Sequence, residues 1–459
     1  MSSNDINENQ LKYLTGFGND FQSEDPRCPR ALPEGQNTPQ TCPYGLYAES
    51  MNGSSFTAPR GTNKRAWFYR IRPSVCHGPF TKYEQPFLTD NWHAFPASPN
   101  HPRWQPFLLP KDTDNVDFVD GLRTLAGAGS AKDRRGCAIH IYVCNQSMGD
   151  RAFYNSDGDF LIVPQQGELN ILTEFGRMVV APGEVCVIQQ GMRFHVAVDG
   201  PSRGYILETF EGHFRLPDLG LIGANGLANP RDFLTPVALY EDRDELPDYE
   251  LINKFGGSLF EAHQNHSPFD VVAWHGNYVP YKYDLRKFVP VNTVARDYCD
   301  PTVFTVLTAP SGINGGPAVA DFLAISERWE VTENTFRPSY FHRNCAVEFM
   351  GKITDSPSQS ATGALPGGIQ PGGAQMTAYE TAHGPSANAT EHAFREELKP
   401  TKVFQDTLVF FFLSPLNLTL TAFGQSGCGV YDDSMHESWI GIKKHFNPTK
   451  RELALPTTV

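Results

Sequence analysis

Two histidines and a glutamate in the last third of the chain carry the clearest chemical signal. His342 and Glu348 stand in Phe341-His342-Arg343-Asn344-Cys345-Ala346-Val347-Glu348, and His383 follows in Thr381-Ala382-His383-Gly384-Pro385. Two neutral imidazoles and one carboxylate leave open coordination positions, a ligand set suited to non-haem Fe(II) and oxygen activation. Spacing constrains how they meet. Six residues of straight strand run roughly 20 Å at about 3.3 Å per residue, too far for two ligands of one ion. On a helix, positions i and i+6 point in different directions. His342 and Glu348 can share a metal only if the chain turns between them, at a strand–turn–strand corner made by Arg343-Asn344-Cys345. The alternative is two unrelated polar residues on strands, and spacing alone leaves both readings open.

The elements that would position such a site are strands. Forty glycines and 36 prolines, with only 19% charged residues, favour many turns over long helices. The 32 phenylalanines suit stacked sheets with bulky inner faces. From Cys137 onward, short apolar runs follow one another: Ala138 to Val143, Phe160 to Val163, Leu169 to Leu172, Met178 to Val180 and Val185 to Ile188. Most recur at intervals of about 8–12 residues, the rhythm of a β-sandwich or barrel. The expected fold is mainly β, a two-domain β-sandwich or barrel architecture with few helices. The boundary is expected near 285–290, giving an N-terminal β domain, 1–287, and a C-terminal iron-binding domain, 288–459. The charged stretch Asp232 to Asn253 reads as a surface helix with loops, and Ser356 to Gly373 as a long loop.

Around Asp157-Gly158-Asp159 and Gln190-Gly191-Met192-Arg193-Phe194-His195 the text resembles a cupin barrel. Aspartates occupy the slots where cupins carry a His-x-His pair, so this copy reads as metal-free. Asp-Gly is also a strong turn signal between strands, and His195 alone reads as a satisfied polar residue.

Nine cysteines, an odd number without C-x-x-C pairs, indicate neither a zinc knuckle nor a disulfide framework. Residues Met1 to Gln10 lack a basic and apolar leader, and the longest wholly apolar run, Leu408 to Leu413, is too short to span a membrane. The expectation is a soluble cytoplasmic protein. A formal charge of −13 disfavours nucleic acid or anionic membrane as partner.

Long blocks identify a family. They include Gly16-Phe17-Gly18-Asn19, Ser23-Glu24-Asp25-Pro26-Arg27-Cys28-Pro29, Tyr154-Asn155-Ser156-Asp157-Gly158-Asp159-Phe160, Ile222 to Phe233, Val272-Ala273-Trp274-His275-Gly276-Asn277-Tyr278, Phe336-Arg337-Pro338 and Leu365-Pro366-Gly367-Gly368. Over nearly its whole length the chain resembles homogentisate 1,2-dioxygenases. The resemblance implies an Fe(II) enzyme that opens homogentisate with O₂ to maleylacetoacetate, on the breakdown route of tyrosine and phenylalanine. It implies His342, Glu348 and His383 as iron ligands, His383 and Tyr298 against the substrate, and a homohexamer.

Two positions depart from the family. Its acid–base histidine stands in Val-Ala-x-Asp-His-x-Asp-Pro, where this chain has Val294-Ala295-Arg296-Asp297-Tyr298-Cys299-Asp300-Pro301. Its substrate-contacting tyrosine, nine residues after the glutamate ligand, is replaced by Pro357, whose side chain donates no hydrogen bond. The segment before His383 is also five residues longer, around Gln370 to Ala374. These departures keep two alternatives open: a dioxygenase for another hydroquinone or trihydroxybenzene, and a non-catalytic cupin-type binding protein.

Overall fold

A computed structural model describes residues 11–34, 41–217, 228–290, 301–312, 317–331, 339–356 and 368–449. Strands dominate, as expected, and the one α-helix among the described residues is Ala387–Ala393, capped by the Ser386 side chain. None of the described helices is long and apolar enough to cross a membrane.

The architecture is layered around a nine-stranded sheet that includes Leu122–Ser130, Arg135–Cys144, Asp159–Gln166, Glu184–Ile188 and Ser202–Thr209. Side chains alternate between the two faces of a strand. Leu161 and Val163 therefore enter one core with Phe322, Phe349 and Phe410, while Phe160 and Ile162 enter another with Ile171, Met178 and Phe194. Both faces of this sheet are covered, which is why Phe160-Leu161-Ile162-Val163 reads as an unbroken apolar run rather than an alternating one. Each large side chain buried this way contributes about 1.5–3 kcal/mol.

One outer layer is a seven-stranded sheet with Leu169–Thr173, Gly176–Val180 and Tyr249–Phe255. The other is a seven-stranded sheet with Thr305–Pro310, Ala318–Ile325, Leu408–Ser414, Val347–Thr354 and Ala374–Thr377. The two halves of the chain exchange strands. Arg103–Trp104 lies between Ala374–Thr377 and Tyr431–Asp432 in the C-terminal sheet, and Thr419–Leu420 pairs with Ala126 and Gly127 of the central sheet.

The surface helix expected over Asp232 to Asn253 is not formed. A three-residue 3-10 turn, Pro230–Asp232, leads into the short strand Leu234–Pro236, and the chain re-enters a sheet at Tyr249. Pro236 and Pro247 supply no amide hydrogen and would break a helix there. The charges are instead spent on neighbours, with Arg243 bonded to Asp150 and Glu241 accepting from Ser267. Of the long loop expected over 356–373, residues 357–367 lie outside the described residues.

Candidate metal centre

Alternation along Val347–Thr354 sends Val347 and Phe349 into the core and Glu348 to the opposite face. The corner expected at Arg343 to Cys345 is present as an irregular segment ahead of that strand. It brings His342 back against His383, and the two residues form an isolated antiparallel bridge. His342 N donates to His383 O at 2.9 Å and His383 N to His342 O at 3.0 Å. The imidazole centroids are 4.1 Å apart.

The three side chains meet. Glu348 Oε1 lies 3.5 Å from His342 Nε2, and Glu348 Oε2 lies 3.5 Å from His383 Nε2. Among the described residues this is the one group of three or more His, Cys, Asp or Glu side chains close enough to hold an ion, with ligand atoms all within 4.8 Å of one another. Each histidine is pinned from behind. His342 Nδ1 donates to Tyr340 O at 2.9 Å and His383 Nδ1 to Thr381 O at 2.9 Å. A carbonyl only accepts, so both neutral rings carry their proton on Nδ1 and turn the Nε2 lone pair toward the carboxylate. His383 Nε2 is buried with no hydrogen-bond partner. Lone pairs and a carboxylate converging this way form a donor set that a cation can bridge, and nitrogen and carboxylate donors suit a divalent first-row metal.

Electrostatics agree. Burial alone would raise the Glu348 pKa, but contacts with His342 and His383 and the amide of Asn344 bring it down to about 2. The Glu348 contact raises the His342 pKa, against the opposing effect of burial. The carboxylate is thus ionised throughout the neutral range, the form that binds a metal. Half-exposed aromatics edge the site, with the Tyr340 ring centroid 5.2 Å from His342 and both Phe341 and Tyr379 exposed.

The N-terminal aspartates have other partners. Asp157 accepts from Lys254 Nζ at 2.7 Å, Gly256 N at 2.6 Å and Gly257 N at 2.9 Å. Asp159 accepts from Gln190 N and faces His213 Nδ1 at 2.9 Å, so a histidine does stand beside it, though not one adjacent in sequence. His195 lies on Phe194–Ala197, and burial is the main cause that brings its pKa down to about 4. Tyr298 and Pro357 lie outside the described residues. Asn344, expected only as part of the corner, also bonds Glu348, and His101 and Trp439 adjoin the site though neither has ligand spacing in sequence.

Comparison with known proteins now decides the family. Residues 12–285 match the model described as homogentisate 1,2-dioxygenase N-terminal, and residues 286–446 the corresponding C-terminal model. The chain belongs to the homogentisate 1,2-dioxygenase family. The homogentisate 1,2-dioxygenase of Homo sapiens is 54% identical over 448 residues, covering 97% of this chain and 99% of the human protein. That of Drosophila melanogaster is 55% identical over 443 residues, covering 96% and 99%. Among solved structures, oxalate decarboxylase from Bacillus subtilis at pH 4.6 shows a TM-score of 0.27 at 10% identity over 75% of this chain and 79% of that one, a likeness too slight to carry weight. Relatives this similar over the full length make the chain a dioxygenase of this kind. They do not favour the readings as a binding protein or as an enzyme for a different hydroquinone.

Proposed function

We propose that the chain binds one Fe(II) through His342, Glu348 and His383 and cleaves the ring of homogentisate with O₂ to give maleylacetoacetate, in tyrosine and phenylalanine catabolism. The observation that carries this reading is the inward-facing His383 Nε2, buried without a partner beside an ionised Glu348. Bound iron would supply oxygen activation and would acidify a coordinated phenolic hydroxyl. Everything else falls to the chain. The bridge between His342 and His383 sets side by side two of the three side chains that would hold the iron, both facing Glu348. Half-exposed Tyr340, Phe341 and Tyr379 offer aromatic surface to the substrate ring.

Tyr298 occupies the family's acid–base position and, with His383, is assigned to the substrate. A tyrosine hydroxyl, with a reference pKa of about 10, donates a hydrogen bond at neutral pH. Histidine, at about 6.5, exchanges protons there. The same reading extends to a cytoplasmic homohexamer of cupin-like subunits, each divided near 287/288 into a β domain and an iron-binding domain.

Oxygen uptake by the Fe(II)-loaded protein tests it, with homogentisate set against hydroquinone, gentisate and hydroxyquinol. Stoichiometric uptake with homogentisate, and formation of maleylacetoacetate, is expected. Preference for a ring without the acetate arm would overturn the substrate assignment.

A further inference from the structure

The strand Arg103–Trp104 belongs to the N-terminal half, yet it lies beside Ala374–Thr377 with Trp104 opposite Ala374 and Arg103 opposite Gln375. Met376 N donates to Pro102 O at 2.9 Å, which carries the pairing one step further. Continued to the next residue, this register sets His101 opposite Thr377, and Thr377 is itself paired with Glu348. Directly opposed residues of an antiparallel sheet share a face. Glu348, Thr377 and His101 therefore form one row on the face that carries the metal centre.

The contacts of His101 converge on the third ligand. Its ring centroid lies 6.2 Å from that of His383 and 5.0 Å from Trp439, which it meets edge-on. Its ring lies beside the backbone of Ala382, while Trp439 Nε1 donates to Gly384 O at 3.1 Å. The residue before His383 thus lies against His101 and the residue after it is held by Trp439, and these two rings pack on each other. His101 Nδ1 is buried without a partner. A purely space-filling position would favour an apolar ring that avoids that unsatisfied atom.

We propose that His101 is a positioning residue of the metal centre, by which the N-terminal half fixes the backbone on which His383 is mounted. The proposal rests on the reading of His342, Glu348 and His383 as metal ligands. Groups behind a ligand commonly change metal affinity by about 10–100-fold.

The test is Fe(II) affinity by anaerobic chelator competition on full-length protein, with the visible ligand-field spectrum of the Co(II) form as a second readout. Wild type is compared with His101→Phe, which keeps a ring against Trp439 but loses both ring nitrogens beside His383, and with His101→Ala. Thermal melting of the metal-free forms separates folding from site geometry. We expect His101→Phe to melt within about 2 °C of wild type, bind Fe(II) about tenfold or more weakly, and shift the Co(II) spectrum, with His101→Ala weaker still. Wild-type affinity and spectrum in His101→Phe would overturn the proposal alone. A wild-type protein that binds no Fe(II) would overturn the ligand reading and this inference together.

Discussion

Gly384 directly follows His383, and an added methyl there would strain the bridge that joins two of the proposed ligands. A Cβ on Gly384 would lie 2.5 Å from Phe341 Cδ1 and 3.0 Å from Phe341 Cα. The ring is half exposed and can swing aside, but the Cα is backbone and must give by a few tenths of an ångström. Phe341 immediately precedes His342, so the displacement enters the pair of hydrogen bonds, 2.9 and 3.0 Å long, that holds His342 against His383. Overpacking of this kind costs about 1–3 kcal/mol. Catalytic and metal constellations tolerate roughly 0.5 Å of misplacement, so much of that strain should appear as lost metal affinity. At about 1.4 kcal/mol per tenfold, Gly384→Ala should weaken Fe(II) binding about 5- to 150-fold in an anaerobic chelator competition. Gly61→Ala is the control, since a Cβ there meets nothing within 4 Å. Unchanged iron affinity in a folded Gly384→Ala protein would refute the idea that the bridge sets the site.

Four further outcomes are expected. Asn344→Ala removes the amide donor to Glu348 Oε1 and should lower Fe(II) affinity about tenfold, with secondary structure unchanged by circular dichroism. Burial alone would raise the Glu208 pKa, but Lys254 and His140 hold it down to about 2. A carboxylate depressed in the folded state contributes stability above its unfolded pKa and loses it on acidification, so urea midpoints should fall as pH drops from about 4.5 toward 2. Lys254→Met leaves Asp157 and Glu208 buried without their cation and should destabilise the fold by about 3–5 kcal/mol in the same assay. Tyr298→His should raise homogentisate turnover and add a rising limb to the pH–rate profile near pH 6–7, since a positioned acid–base group supplies about 10²–10⁴-fold; slower turnover in the variant would show that tyrosine already performs that step.

The sequence made some parts of the molecule legible for physical reasons. Apolar runs near 160 and 186 marked strands because strand period and burial are local properties. A turn between His342 and Glu348 followed from reach once the two were taken to share an ion, since no straight element lets residues six apart do so. Other parts depended on pairing partners distant in sequence. Nothing in Asn100-His101-Pro102-Arg103-Trp104 says that it lies across the C-terminal sheet, because that register is set by Ala374 and Gln375, some 270 residues away. The helix expected near 232–253 is absent because Pro236 and Pro247 interrupt the backbone hydrogen bonding that the charge pattern alone would allow. The partnership of Asp159 with His213 was hidden in the same way, as a contact between residues 54 apart.

The most direct test of the central claim is iron stoichiometry in protein reconstituted anaerobically with Fe(II), measured for wild type and for the Ala variants of His342, Glu348 and His383. The account predicts one iron per wild-type chain and none retained by any of the three variants, each of which stays folded. Full iron retained after loss of any one of these side chains, or two irons per wild-type chain, would contradict it.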